Sequence, residues 1–147
     1  AGWIALYAGV ASGGDIILIP EIPYDIEKVI NRVKERGKRH KRFTIIVVAE
    51  GAGSGFDVAR RIESCLGLEL RVTILGHVQR GGTPTAFDRL LASRLGAKAV
   101  DLLAAGETNL MVGISGNKVV STPMERVLAT KRPIDMDVYN LAQDLAR

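Results

Sequence analysis

The 147-residue chain is long enough for one compact domain with a real core, and 47% apolar with 24% charged residues is a globular balance rather than a disordered or fibrous one. No apolar run approaches the roughly 20 residues needed to cross a bilayer and no signal peptide is visible, while the single cysteine excludes an internal disulfide and suits a reducing, cytoplasmic setting. The net charge of +4 is concentrated, with six Lys or Arg residues and one acid from Lys34 to Arg42, a pattern that fits a solvated helix end, a small-anion site or a nucleic-acid contact.

The chain opens on Ala-Gly-Trp and passes at once into a helical pattern over 3–11, as expected from the middle of a longer polypeptide. Ser12-Gly13-Gly14-Asp15 breaks that helix. Residues 16–19 are a short continuous apolar run ended by Pro20, which predicts a buried strand. Asp25 is placed to cap a helix reaching about Arg36, with Ile26, Val29, Ile30 and Val33 on one face and Gly37 as its stop. Residues 43–49 predict a second buried strand. A glycine cluster at 51–55 leads into a helix over 56–66, in which Cys65 is expected to be packed, and Gly67 ends it. Residues 70–75 predict a third strand, and 76–84 a glycine-rich loop. The helix predicted at 85–104 has Leu90, Leu91, Leu95, Ala99 and Leu102 as apolar positions and Gly106 beyond its end. A hairpin is expected from 110–114 and 118–121 around Ser115-Gly116-Asn117, then a helix opening at Pro123 and a closing helix over 134–146. Strands alternating with helices argue for an α/β fold, three layers α/β/α with a mainly parallel sheet.

In such sheets ligands bind beyond the carboxyl ends of the strands. The loop from Gly76 to Gly82 is the most informative, because His77 and Arg80 leave it just ahead of a helix. Backbone N–H groups at a helix start favour an anion, and Arg80 can grip phosphate oxygens through paired hydrogen bonds. On charge and glycine content alone, a surface arginine beside a solvated loop fits equally well. Arg71 opens the predicted third strand, roughly 20 Å away at about 3.3 Å per residue, so it is expected to serve a neighbouring subunit rather than its own pocket. The cluster at 51–55 resembles a dinucleotide turn, but Phe56 stands where G-x-G-x-x-G needs glycine. Glu50, at the second strand's end, is read as an acceptor for ligand hydroxyls, or else as a cap for the next helix. No nucleophile constellation, Walker motif or metal-ligand spacing appears. The basic run contains no aromatic residue, which argues against a single-strand stacking platform, and neither nucleic acid nor membrane is the expected partner.

The run Arg71-Val-Thr-Ile-Leu-Gly76-His77-Val78-Gln79-Arg80-Gly81-Gly82, continued to Asp88-Arg89, is similar to the phosphofructokinase pattern R-x-x-x-x-G-H-x-Q-R-G-G-x-x-x-x-x-D-R at every fixed position. Gly2 to Leu6, Ile19-Pro20-Glu21 and Ala49-Glu50-Gly51 agree in order, so the resemblance covers essentially the whole chain as the C-terminal half of a bacterial-type subunit. It implies a glycolytic phosphotransferase acting on an alcohol group, moving the terminal phosphoryl of ATP, with Mg2+, to the 1-hydroxyl of fructose 6-phosphate. Within it, Glu50 binds sugar hydroxyls, and His77, Val78, Gln79 and Arg80 line the substrate site. Arg80 also offsets developing charge, and Arg71 reaches a neighbour's 6-phosphate in a homotetramer. An effector site for ADP or phosphoenolpyruvate is implied at Gly13, Asp15, Arg36, Lys38, Arg39 and His40, with Asp15 near the effector's magnesium. A register placing Arg39 and Lys41 in the basic roles is the alternative. The implied divisions are a sugar-phosphate-binding domain at 1–108, a segment at 109–132 that packs on an ATP domain, and the helix at 133–147. The glycine-rich ATP loop, the T-I-D-N-D segment with the catalytic base and the M-G-R segment are absent, so no catalytic base is expected here. The chain alone is expected to be inactive. A pyrophosphate-dependent phosphofructokinase half and a non-catalytic phosphometabolite-binding module are the alternatives.

Overall fold

The computed structural model describes residues 1–39 and 43–146. His40 and Lys41, expected in the basic motif, lie outside the described residues. The chain forms two units, Ala1–Ile74 with Ile134–Arg147, and Leu75–Pro133.

The first unit is built around a parallel pair, β1 (Ile16–Leu18) and β2 (Ile46–Val48), in the register Ile16↔Ile46, Ile17↔Val47, Leu18↔Val48. Side chains alternate across a strand, and here both faces are covered. Ile16 and Leu18 pack with Val29, Ile30 and Val33 of α2 (Ile26–Lys38) and Val58 and Ile62 of α3 (Gly55–Leu66). Ile17 and Ile19 pack on the other side with Leu6 of α1 (Trp3–Ala11) and with Ile134 and Ala142, the latter in the final helix at Met136–Leu145. That is the three-layer α/β/α arrangement expected from the sequence, reduced to two paired strands among the described residues. α1 rides very close to β1. A Cβ on Gly9 would lie 2.6 Å from Ile17 Cδ1 and 2.9 Å from its Cγ1, so only glycine fits.

The helix ends follow their local chemistry. Asp25 caps α2 by accepting the Glu27 N–H at 3.0 Å. Ser54 caps α3 by accepting the Asp57 N–H, and Gly67 closes it in the left-handed region at φ 64°. Three expectations are corrected. Gly37 does not stop α2, which runs on to Lys38, because its φ stays out of the left-handed region. Cys65 is exposed rather than packed, because Val58, Ala59 and Ile62 define the buried face of α3. The third strand at 70–75 does not form: its backbone finds no ladder partner, and the Leu70 N–H is taken by the Glu63 carboxylate at 3.0 Å.

The second unit contains α4 (Ala86–Ala104), the hairpin β3 (Leu110–Ser115) and β4 (Lys118–Pro123), and α5 (Met124–Ala129); α6 is the final helix, Met136–Leu145, in the first unit. The hairpin pairs Ser115 with Lys118 across Gly116-Asn117, with Gly116 at φ 58°, the glycine-first form of a two-residue turn. Arg94 of α4 donates to the Asn117 carbonyl at 2.9 Å. No described residue of this unit is fully buried, and Phe87, Leu90, Leu103 and Leu128 are all exposed.

The close approach of α1 to β1 gives a direct test. Gly9→Ala should lower stability by about 1–3 kcal/mol, the usual range for overpacking. Pairing it with Ile17→Val, which removes the clashing Cδ1, should cost less than the sum of the two single changes. Urea unfolding of the four proteins measures the coupling, and strict additivity would contradict this packing.

Candidate functional site

The most chemistry-rich segment belongs to the second unit. Gly76–Arg80 forms a short 3-10 turn between Gly76 at φ 53° and Gly81 at φ 98°, values that residues with a side chain rarely adopt. His77, Val78, Gln79 and Arg80 all project from this turn and are exposed. Among the described residues the side chains of His77, Gln79 and Arg80 have no hydrogen-bond or ion-pair partner. The turn is followed by a firmly fixed helix start. The Thr85 N–H and hydroxyl both donate to Asp88 Oδ2 at 2.8 Å, and the Asp88 N–H returns to Thr85 Oγ1 at 3.3 Å, a capping box. Bonds from the Thr85 backbone and then its hydroxyl hold the Asp88 carboxyl below the ordinary aspartate range. A short turn between two glycines, ahead of a capped helix, thus presents a histidine and an arginine whose side chains have no partner among the described residues.

The first unit holds the remaining expected residues in two groups. At the carboxyl ends of β1 and β2, Pro20-Glu21 and Glu50-Gly51 come together, as parallel pairing requires: a Cβ on Gly51 would lie 3.1 Å from Pro20 Cγ and 3.8 Å from the Ala1 nitrogen. Glu50 opens a 3-10 turn, Glu50–Ala52, and its side chain is exposed with no partner among the described residues. It does not cap α3, since Ser54 does. Glu21 accepts the Gly2 N–H with both oxygens, at 2.8 and 3.0 Å, and that bond is the main reason its carboxyl sits below the ordinary range. Arg71 is exposed in the strand-free segment after α3.

At the opposite ends of the strands, Asp15 and Arg36 form an ion pair, and Arg36 Nη1 donates to the Ala146 carbonyl at 2.7 Å. The second Asp15 oxygen accepts the Ile45 N–H at 2.8 Å. Lys38 pairs with Glu35 at 2.7 Å, a bond that lowers the Glu35 pKa, and Arg39 ends α2. Gly13 turns the chain before β1 at φ 73°. Arg32, Glu35, Arg36, Arg39, Gln143 and Ala146 line a cleft of about 300 Å³. Sequence reasoning does not single out Arg32 or Gln143. The available signal is the spacing 32, 36, 39, which puts three arginines on one side of α2. Among the described residues no group of three or more His, Cys, Asp or Glu could hold a metal ion, and no helix is long and apolar enough to cross a membrane.

An α/β chain with this turn and these strand ends can now be placed by comparison. The family model "Phosphofructokinase" matches residues 1–103, which contain every site residue named above except Gln143 and Ala146. The chain belongs to the phosphofructokinase family. It is 53% identical over 146 residues to the ATP-dependent 6-phosphofructokinase of Halalkalibacterium halodurans, covering 99% of this chain and 46% of that protein. It is 52% identical over 145 residues to the enzyme of the same name from Natranaerobius thermophilus, again covering 99% of this chain and 46% of that protein. The chain therefore spans about half the length of these curated relatives. Among solved structures, the phosphofructokinase of Saccharomyces cerevisiae superposes with a TM-score of 0.74 at 34% identity, covering 99% of this chain and 21% of that one. A pyrophosphate-dependent phosphofructokinase from Marinobacter aquaeolei superposes with a TM-score of 0.80 at 24% identity, covering 99% and 45%, a likeness of fold.

The capping box makes the helix start next to His77 and Arg80 acid-sensitive. Asp88 has a folded pKa below its unfolded value, so its stabilisation is present above the unfolded value and is lost as pH falls through the folded one. Amide exchange at the first turn of α4, corrected for intrinsic rates, should therefore rise below about pH 4. Asp88→Asn should abolish that dependence; an unchanged acid response in the variant would place its origin elsewhere.

Proposed function

We propose that this chain is the fructose 6-phosphate-binding portion of a 6-phosphofructokinase, an enzyme that moves the terminal phosphoryl of ATP to the 1-hydroxyl of the sugar phosphate. The observation that carries the reading is the Gly76–Arg80 turn, which offers His77 and Arg80 unpaired among the described residues ahead of a capped helix. A phosphate dianion needs donors that are not already spent on the protein, and an arginine fork meets it with two parallel bonds. In this role His77 and Arg80 bind the sugar phosphate, with Val78 and Gln79 lining the same turn. Arg80 also stabilises charge as the phosphoryl moves. Glu50, free at the end of β2, accepts hydrogen bonds from sugar hydroxyls. Arg71 serves a neighbouring subunit of a homo-oligomer.

Phosphoryl transfer rests on positioning and charge stabilisation. These residues can hold and orient the acceptor sugar. Among the described residues no side chain is assigned as its base, and magnesium with ATP belongs to parts of the enzyme outside this chain. The isolated chain is accordingly inactive as a kinase. ATP is favoured over pyrophosphate as donor because the 53% identical relative carries ATP in its name. A non-catalytic phosphometabolite-binding module is the second reading, favoured by a span of only 46% of that relative. The basic end of the first unit, with Gly13, Asp15, Arg36, Lys38 and Arg39, is assigned to an anionic effector such as ADP or phosphoenolpyruvate.

Calorimetry with fructose 6-phosphate tests the reading. The chain should bind it saturably, and Arg80→Ala should weaken binding by at least about tenfold, as loss of a charge-assisted bond costs roughly 1.5–3 kcal/mol. Equal binding by the variant would remove Arg80 from the site. Steady phosphorylation of fructose 6-phosphate by the purified chain alone would overturn the assignment of the base to another part of the enzyme.

A further inference from the structure

The family resemblance puts Asp15 beside an effector's magnesium, but its surroundings suit a different task. Both carboxylate oxygens are already engaged, Oδ1 by Arg36 and Oδ2 by the Ile45 N–H. Its own N–H donates back to the Ile45 carbonyl at 2.9 Å, so Asp15 and Ile45 clasp each other in both directions just ahead of the β1–β2 pairing. Its side chain is only 11% exposed, and that of Arg36 12%. Magnesium carried on a ligand's phosphates needs only one or two protein carboxylates, but each needs a free oxygen, and both oxygens of Asp15 are taken. Displacing Arg36 to admit the ion would leave a mostly buried guanidinium without its counter-charge, which is costly.

We propose that Asp15 is a positioning residue that ties the last turn of α2 to the approach to β2, through Arg36 and Ile45, and that it does not ligate magnesium. One carboxylate grips both elements: α2 through Arg36, and the residue just before β2 through Ile45. Arg36 extends the clip to the end of α6 through the Ala146 carbonyl. The flanking cleft holds Arg32 and Arg39 as further positive charges. Arg36 Nε is buried and has no partner among the described residues. Asp15 therefore partly neutralises the cationic cleft while fixing its frame. The role toward anions rests on the effector assignment under the proposed function; the clip does not.

Asp15 as a clip and Asp15 as a metal ligand predict opposite responses. Hydrogen exchange on the purified chain should show the Ile45 amide exchanging about tenfold or more faster in Asp15→Ala, where the donor loses its acceptor. Asp15→Asn keeps an oxygen for Ile45 and should restore most of the protection, which also guards against a variant that fails to fold. Unchanged exchange in Asp15→Ala would overturn the clip. Manganese titration followed by electron paramagnetic resonance should show no site that Asp15→Asn removes, and a site present in the wild type but lost in that variant would overturn the proposal. Calorimetry with ADP should give the same affinity with magnesium as with a chelator. Asp15→Asn should strengthen metal-free binding severalfold, because Arg36 is no longer neutralised. Weaker binding in Asp15→Asn only when magnesium is present would restore the metal role. Absence of any ADP binding, with protection of Ile45 still lost in Asp15→Ala, would refute the effector assignment and leave the clip supported.

Discussion

Four consecutive residues, Ile16 to Ile19, are buried against opposite sides of the first unit, and every other element there is placed by that fact. A strand that is apolar on both faces must be covered on both, so α2 and α3 take one side, and α1 with α6 take the other. The parallel register to β2 then brings the two carboxyl ends to one edge, carrying Glu21 and Glu50, and the two amino ends to the opposite edge, carrying Asp15 and Ile45. The division into a proposed ligand edge and a clipped basic edge is thus a direct result of how one apolar segment is hidden from water.

The charged residues divide by whether their bonds are already spent. Asp15, Arg36, Glu21 and Asp88 are committed to the protein: they tie together strand starts, helix ends and the approach of α1. His77, Arg80, Glu50 and Arg71 are exposed, and their polar side-chain atoms are uncommitted among the described residues. Ordered protein partners make the first group useful for positioning, and their lack makes the second group useful for recognition. The turn carrying His77 and Arg80 combines that availability with left-handed glycines at its entry and exit, and a capping box sets the start of α4 beyond it.

Much of this is legible in the sequence because the signals are local. The helix spacing of Ile26, Val29, Ile30 and Val33, the capping residue Asp25 ahead of its apolar run, and Gly116 at the hairpin each act within a few residues, whereas the cap of α3 is Ser54 and not Glu50. The His77 to Arg80 turn is legible for the same reason, through its flanking glycines. The features that escape depend on distant partners. Residues 70–75 have strand-like composition, but a strand needs a neighbour, and the Leu70 N–H bonds to Glu63 instead. Free cysteine is among the most buried residue types, yet which face of α3 meets the sheet is decided by Val58 and Ile62. The partnership of Asp15 with Arg36 and Ile45, and of Arg32 with Gln143, joins residues far apart in the chain and leaves no periodic trace.

The first unit is discontinuous, and this bears on the order in which the molecule can be made. Ile17 and Ile19 are covered in part by Ile134 and Ala142, which come after the whole of Leu75–Pro133. A ribosome adding about 5–20 residues per second releases the intervening segment over several seconds. Through that interval the inner strand is shielded on the α2–α3 side and only partly on the other. Nascent chains therefore carry an open apolar seam until α6 emerges, and a chaperone that occupies such seams would be released by the arrival of α6 rather than by the folding of the sheet itself.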